Sequence, residues 1–532
     1  MALARRSLLT AVTAAPLWSG MALAQDKAVL RRGNIAEPDS LDPHQCTGAW
    51  ENNIVGDLFM GLTTDDPQAR PIPGVAERWS ISDDGTVWTF TLRAGLVWSD
   101  GAPLTAADFE FAFRRLLDPK TAAKYASLQY VVKNAEAVNT GKLPVEALGV
   151  RAVDDRTFEI TLDAPTPFLP GLLTHYTSYP LPRHVLAQHG DAWVKPGNMV
   201  SNGPYMLVEW NPNDKIRVVK NPRFFEADRI RIDEVIFYPI EDEKAALTRF
   251  RAREIDANIG SRGFPIDEWP WLQKNMPGEA LIHPQLALDY LVTNTRRKPY
   301  DDIRIRRALS LSLDRETVAE RVNRDGRLPA YTFVPPGIDN YTSPPAVAYA
   351  QWTKEKRQAE ARRLLAEAGY GPGNPLTFDY MHATGRSGRR EAVALSALWR
   401  EVGIIARPIA NETKVHYNTI QAHDFDVAWA AWVADYNDPQ NFLFLVDSRS
   451  GVFNYSGYDN PAYDALMDQA KVTLDLAARA QLLATAERMM LDDYAAIPLA
   501  FRTTKTLIAP YVKGFVSNVT NIHRTRWMWI ER

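Results

Sequence analysis

The stretch Pro73–Phe109, PGVAERWSISDDGTVWTFTLRAGLVWSDGAPLTAADF, decides how this chain folds. Trp79 and Ile81 alternate with polar residues and run into Asp84-Gly85, a hairpin signal because glycine accepts positive φ. Beyond it Trp88, Phe90 and Leu92 alternate with Thr89 and Thr91, the period of a half-buried strand. A second turn, Asp100-Gly101, follows Val97-Trp98. Thr105, with Asp108 three residues on, predicts a helix N-terminus. Phe109, Ala112, Phe113, Leu116 and Leu117 then share one helical face. A hairpin feeding an amphipathic helix argues for α/β or α+β lobes, against a helical bundle or a β-sandwich.

The same mixture continues outward. Strands are predicted at Val29–Asn34, around Phe158, Ile160 and Leu162, at Met206-Val208-Trp210, Val218-Val219, Val235–Phe237, Tyr290–Val292, Phe425-Val427-Trp429 and Ile497–Phe501. Helices are predicted over Asn52–Leu62, Ala245–Arg253, from Asp302 onward, and over Lys354–Ala368, Glu391–Val402 and Leu476–Leu491. No Gly/Ser-rich linker or charge block separates these runs, so the lobes are expected to be joined by crossing segments. The 532 residues suggest two to four lobes. A hydrophobic fraction of 46% and a net charge of −3 exclude bulk disorder and a polyanion-binding surface, so no nucleic-acid partner is expected. A single cysteine excludes an intrachain disulfide and a cysteine-cluster metal site. The 15 tryptophans ask for an explanation; Trp79, Trp88 and Trp98 are expected in the core.

Residues 1–24 read as a cleaved export signal. Arg5-Arg6 precede an apolar stretch from Leu8 to Leu23, and Ala22-Leu23-Ala24 is an A-x-A cleavage site. The order Arg5-Arg6-Ser7-Leu8-Leu9 fits a general or a twin-arginine signal equally. No cysteine stands at the cleavage point, so a free periplasmic protein is expected.

A search for catalytic chemistry returns nothing: no G-x-S-x-G elbow, no H-E-x-x-H, no phosphate loop and no G-x-G-x-x-G after a strand. His44, His175 and His184 lack neighbours at metal-ligand spacing, so neither metal nor cofactor is expected. Asp83-Asp84, Asp154-Asp155 and Asp301-Asp302 sit at turns or caps, where Asx chemistry explains them. One segment differs. In FDVAWAAWVADYNDPQNFLF (425–444) an apolar strand runs directly into Asp435, with Trp429, Trp432 and Tyr436 around it. An ionised acid after so apolar a run is costly to bury unless a cation meets it. An acid ringed by aromatics is one way to hold an ammonium group; a strand end followed by an Asx turn is the plainer alternative.

Taken together, EPDSLDP (37–43), the block at 73–109, SNGPY (201–205), VTNTRRKPYDDIRIRRALSLSLDR (292–315) and WVADYNDPQNFL (432–443) resemble the periplasmic oligopeptide- and dipeptide-binding family of peptide ABC importers. The resemblance implies an α/β, two-lobed periplasmic-binding-protein fold with a hinge between lobes and an extra domain inserted in the first lobe. Lobe I is then expected at 25–65, 187–287 and 500–532, the inserted domain at 66–186 and lobe II at 288–499. It implies a monomeric receptor, not an enzyme, that captures a peptide and delivers it to permease subunits of the importer. It also implies that Asp435 receives the peptide's amine, that Trp432 and Tyr130 are pocket aromatics, and that Thr47-Gly48-Ala49-Trp50 is a strip for peptide main chain. On that view Trp50, Trp429 and Trp432 belong to the cleft, and a thiol probe on the neighbouring Cys46 would report ligand entry. The charges that some members direct at a short peptide's carboxylate fall here on Trp429 and Gly388, and an acid near the first strip falls on Thr47. The alternatives are another solute on the same fold (an opine, a sugar conjugate or a metal chelate) or an exported hydrolase with an unrecognised site.

Overall fold

The structure, a computed structural model, describes residues 27–260, 263–384 and 386–531. The export signal expected at 1–24 lies outside the described residues.

Two long neighbouring strands, Ala280–Thr293 and Ile497–Ile508, form the centre of an 11-stranded mixed sheet. On one side lie Ala257–Gly260, Val29–Asn34, Glu234–Pro239, Lys215–Lys220 and Tyr205–Asn211 in that order; on the other lie Val427–Val433, Thr377–Ala383 and Ile405–Asn411. The two central strands pair antiparallel from Ala280↔Leu507 to Pro284↔Thr503 and again from Leu288↔Phe501 to Leu291↔Ile497, with a register break between. Within the break Leu286 changes partners: its N–H donates to Val519 O and its carbonyl accepts from Ala434 N, both at 2.8 Å. A bulge of this kind bends a strand while leaving its backbone groups paired. It is the hinge.

The apolar cores divide at the same place. One buried cluster draws on Leu30 to Ala280 and Leu507 to Met528. The other draws on Leu286 to Phe501. The molecule is therefore two-lobed, and both lobe cores grow from opposite ends of the same two strands.

The Pro73–Phe109 block folds as its pattern requires. Ala76–Ile81 and Val87–Leu92 form a hairpin, extended by Thr157–Thr161 and Val150–Ala152 into a separate four-stranded antiparallel sheet. Gly85 takes φ of 72° at the turn. Trp88, Phe90 and Phe158 are buried, and the helix Ala106–Leu117 lays Phe109, Phe113 and Leu116 on them. Thr105 N–H donates to Asp108 Oδ2 at 2.8 Å, which caps that helix. This subdomain shares a continuous core with the first lobe. Trp98 is buried too, but Trp79 corrects the sequence reading: it is only partly buried and borders a cavity.

The hinge is stapled on its second-lobe side. Asp289, fully buried, accepts from Arg502 Nε and Nη2 at 3.0 and 2.7 Å and from Arg327 Nη1 at 2.7 Å. Asp289 lies on one crossing strand and Arg502 on the other, so the trio ties the pair together beside the bend. Asp289→Ala is expected to lower second-lobe stability by about 3–5 kcal/mol, the usual result of removing one member of a buried ionic group. Urea unfolding followed by circular dichroism measures it.

Candidate functional site

Between the lobes lies a cavity of about 260 Å³. Its walls come from both sides: Asp65, Trp79, Phe168 and His175 from the first lobe and its subdomain, Asp339, Asp435, Tyr436 and Asp438 from the second. Contacts cross it, among them the Arg479 guanidinium 5.6 Å over the Phe168 ring. Tyr125 Oη donates to Asp435 Oδ1 at 2.6 Å, and Phe168 stacks on Tyr436 with centroids 4.8 Å apart and planes within 3°. Asp435 follows the strand Val427–Val433 and is fixed by its own N–H, which donates to Asn441 Oδ1 at 3.1 Å.

The acids in this wall differ in how they are neutralised. Asp438 is held by Arg479 through two bonds of 2.6 and 2.9 Å. Asp65 has Arg524 at 4.0 Å, and burial pushes its carboxyl up to about 6. Asp339, pushed up to about 6 by burial, feels the opposing charge of Arg70. Asp435 has hydrogen-bond donors but, among the described residues, no cation against it. Burial raises its pKa; the Tyr125 and Asn441 side chains hold it down against that pull. His175, half-buried in the wall, is pushed down to about 3 by desolvation, so it supplies no positive charge at neutral pH.

The other expected site residues are placed as follows. Tyr436 lines the cavity beside Asp435. Trp432 points to the opposite face of its strand, donates to Asn441 Oδ1 at 2.9 Å and packs edge-on against Phe444 and Phe453. Trp429 borders a different pocket, of about 140 Å³, with Arg327, Gly388, Glu391 and Arg502. Thr47 and Ala49 are exposed and Trp50 half-buried. In the Thr47–Trp50 strip Gly48 is extended and caps a helix. Ala49 and Trp50 open the helix Ala49–Leu58, and Glu51 Oε2 takes the N–H groups of Thr47 and Gly48 at 2.7 and 2.8 Å. Tyr130 donates to Asn139 Oδ1 at 2.8 Å and packs on the first-lobe core, outside the lining of both pockets. The tyrosine that meets Asp435 is Tyr125, five residues earlier in YASLQY. Cys46 is fully buried, its Sγ donating to Asp42 O at 3.1 Å and its thiol pushed up by burial, so it offers no handle to a thiol probe.

Two lobes joined by a bendable strand pair, with an acid-walled cavity between them, define a hinged solute-binding protein. The family described as bacterial extracellular solute-binding proteins, family 5 Middle, matches residues 70–454. The chain belongs to that family. It is 39% identical over 513 residues to the periplasmic oligopeptide-binding protein OppA of Salmonella typhimurium, covering 95% of this chain and 93% of that one. It is 36% identical over 517 residues to the probable deoxycholate-binding periplasmic protein YgiS of Escherichia coli, covering 96% and 95%. Among solved structures, the unliganded open form of the murein tripeptide-binding protein MppA matches with a TM-score of 0.88 at 35% identity, over 95% of this chain and 98% of that one. Haemophilus influenzae OppA in complex with RPPGFSPFR matches at 0.74 and 35%, over 95% and 99%. The lobes here are thus arranged more like the open form. Among the described residues there is no group of His, Cys, Asp and Glu fit to hold a metal, and no helix long and apolar enough to cross a membrane.

Removing the Tyr125 hydroxyl takes a donor from the ionised form of Asp435. In Tyr125→Phe the Asp435 carboxyl is expected to titrate about 1–2 units higher. Carboxyl-carbon NMR across pH 3–8 reads the shift directly.

Proposed function

We propose that this protein is an exported receptor that captures a peptide between its lobes, chiefly through the peptide's free amine, and delivers it to the permease subunits of an ABC importer. The observation that carries the proposal is Asp435, the cavity acid with no counter-ion among the described residues. An arriving ammonium supplies the missing charge, and the Phe168–Tyr436 stack beside it shields the pair from water. The names of relatives such as OppA support a peptide, and their periplasmic location supports export. Relatives as similar as YgiS carry a different ligand in their name, so fold alone does not select the solute. Asp435 favours one that bears an amine.

The reading involves no catalytic step, no cofactor and no second copy of the chain. It keeps the lobe limits at 25–65, 187–287 and 500–532 for the first, 66–186 for the insertion and 288–499 for the second. The register break at Pro284/Leu288 supports the division at 287/288.

A micromolar ligand needs about −8 kcal/mol, and one desolvated amine–carboxylate pair with backbone bonds supplies much of that. Asp435→Ala is expected to weaken binding by about 2–5 kcal/mol. N-acetylation of the peptide is expected to cost the wild-type protein a similar amount and the variant little. Calorimetry on free and acetylated forms of one peptide decides it: equal affinities in the wild type overturn the amine clamp. Affinity is also expected to fall on acidification, because Asp435 must be ionised to hold the ammonium and burial has raised its pKa.

A further inference from the structure

A loop makes a further link between the lobes, beside the two long strands. Asn518–His523 leaves the first lobe and returns to it, yet its tip is seated in the second. The base of the loop is pinned. Asn518 is buried; its Oδ1 accepts from Ile522 N–H and Thr520 Oγ1 at 3.2 and 3.0 Å, and its Nδ2 donates to Ile522 O and Pro67 O at 2.8 and 3.2 Å. Arg32, buried on the first-lobe strand Val29–Asn34, donates to His523 O at 2.9 Å. An asparagine that bonds its own turn in this way stiffens a short loop without any regular element around it.

The tip is Val519. Its carbonyl accepts from Leu286 N–H at 2.8 Å, inside the register break. Its side chain packs on the second-lobe core and lies against Gly337, the last residue of Pro335-Pro336-Gly337. Gly337 takes φ of 91°, and a Cβ built on it would stand 2.7 Å from Val519 Cγ1. Positive φ and close approach both call for glycine here. The loop that carries this glycine is itself fixed to its lobe. Glu487, fully buried, accepts from Phe333 N–H, Val334 N–H and Tyr341 Oη at 2.7, 2.9 and 2.5 Å. A knob anchored in one lobe thus sits in a seat anchored in the other, at the pivot. Both sides of the contact run on into the cavity wall, through Thr520 and Ile522 after the knob and Asp339 and Asn340 after the seat.

We propose that Val519 and Gly337 form a knob-and-seat joint that restricts the hinge to one bending motion and so brings the two cavity walls together in register. Neither residue lines the cavity, so both act as positioning residues. Two paired strands hold the lobes at a fixed separation but leave them free to twist as well as to bend. Bending about Leu286 leaves a contact beside the pivot in place, whereas twisting drives the knob sideways against the backbone of its seat. A molecule twisted out of line cannot close on a solute, and apparent affinity falls by the fraction of molecules lost in this way. The joint serves whichever solute fills the cavity; it goes beyond the peptide reading and does not depend on it.

Single-molecule energy transfer between dyes on Ala252→Cys in the first lobe and Ala366→Cys in the second tests the joint. Both positions are exposed, and the native Cys46 is fully buried and takes no dye. With Val519 and Gly337 intact, one narrow interlobe distance is expected without solute. Val519→Gly is expected to broaden it, and Val519→Thr, which keeps the branched shape, is expected to give the narrow peak back. Gly337→Ala is expected to broaden it too, because the added methyl group displaces the knob; Val519→Ala in the same chain makes room and is expected to narrow it again. A knob that served stability alone would lower the unfolding midpoint and leave the distances in folded molecules unchanged. Calorimetry with tri-alanine reads the consequence, an affinity about three- to tenfold weaker in Val519→Gly. An unchanged distance distribution in folded Val519→Gly overturns the joint. So does a Gly337→Ala effect that Val519→Ala does not reduce. If the glycine variant does not fold, Val519→Ala alone is read in its place. Failure of tri-alanine to bind the intact protein counts against the peptide reading only, and the distances still decide the joint.

Discussion

Everything in this molecule depends on two strands that must do opposite things. Ala280–Thr293 and Ile497–Ile508 have to hold two lobes in one sheet, yet allow those lobes to move. A flat ladder would be too stiff, and an open loop would leave backbone groups unpaired. The register break at Pro284/Leu288 meets both demands, because Leu286 trades its partner on the second strand for Val519 and Ala434. Proline belongs at such a place, since it has no N–H to lose from the ladder. The Asp289 staple then confines the bend to a few residues by locking the strands immediately beyond it.

The hinge gives the charges of the cleft their meaning. In the interlobe cavity Asp65, Asp339 and Asp438 each have an arginine acting on them, and these pairs belong to the scaffold. Asp435 has hydrogen bonds that orient it and, among the described residues, no cation. An acid kept half-buried in that state loses solvation that its hydrogen bonds offset only in part, and a ligand cation offsets the rest. Because Tyr125 reaches Asp435 from the opposite lobe, the carboxylate is aimed before the solute arrives. Similarity to an unliganded open structure fits a cavity built this way.

Local patterns in the sequence were faithful wherever structure is local. The hairpin, its glycine turn and the capped helix after it all follow from spacing within Pro73–Phe109. The acid of the ADY stretch was legible because a charge ending an apolar strand violates the pattern around it. The crossing strands were read short, as Tyr290–Val292 and Ile497–Phe501, because each strand serves two cores and its apolar period breaks at the hinge. The strip at Thr47–Trp50 carries no local signal of its backbone shape: Glu51 collects the N–H groups of Thr47 and Gly48, and a helix starts at Ala49. Tyr125 and Tyr130 are indistinguishable in YASLQY; only the fold shows which one faces the other lobe.

The pocket beside Trp429 shows why the remainder was out of reach. In sequence, Trp429 and Gly388 register as lost charges, and nothing near them replaces what is missing. In space, Arg327 and Arg502 stand beside Trp429, from positions 102 and 73 residues away. Sheet register sets the place of Arg502, and register follows from which face of each strand is buried; Arg327 arrives from the loop that precedes Leu328–Pro329. Arg502, which lines that pocket, also staples the two crossing strands through Asp289.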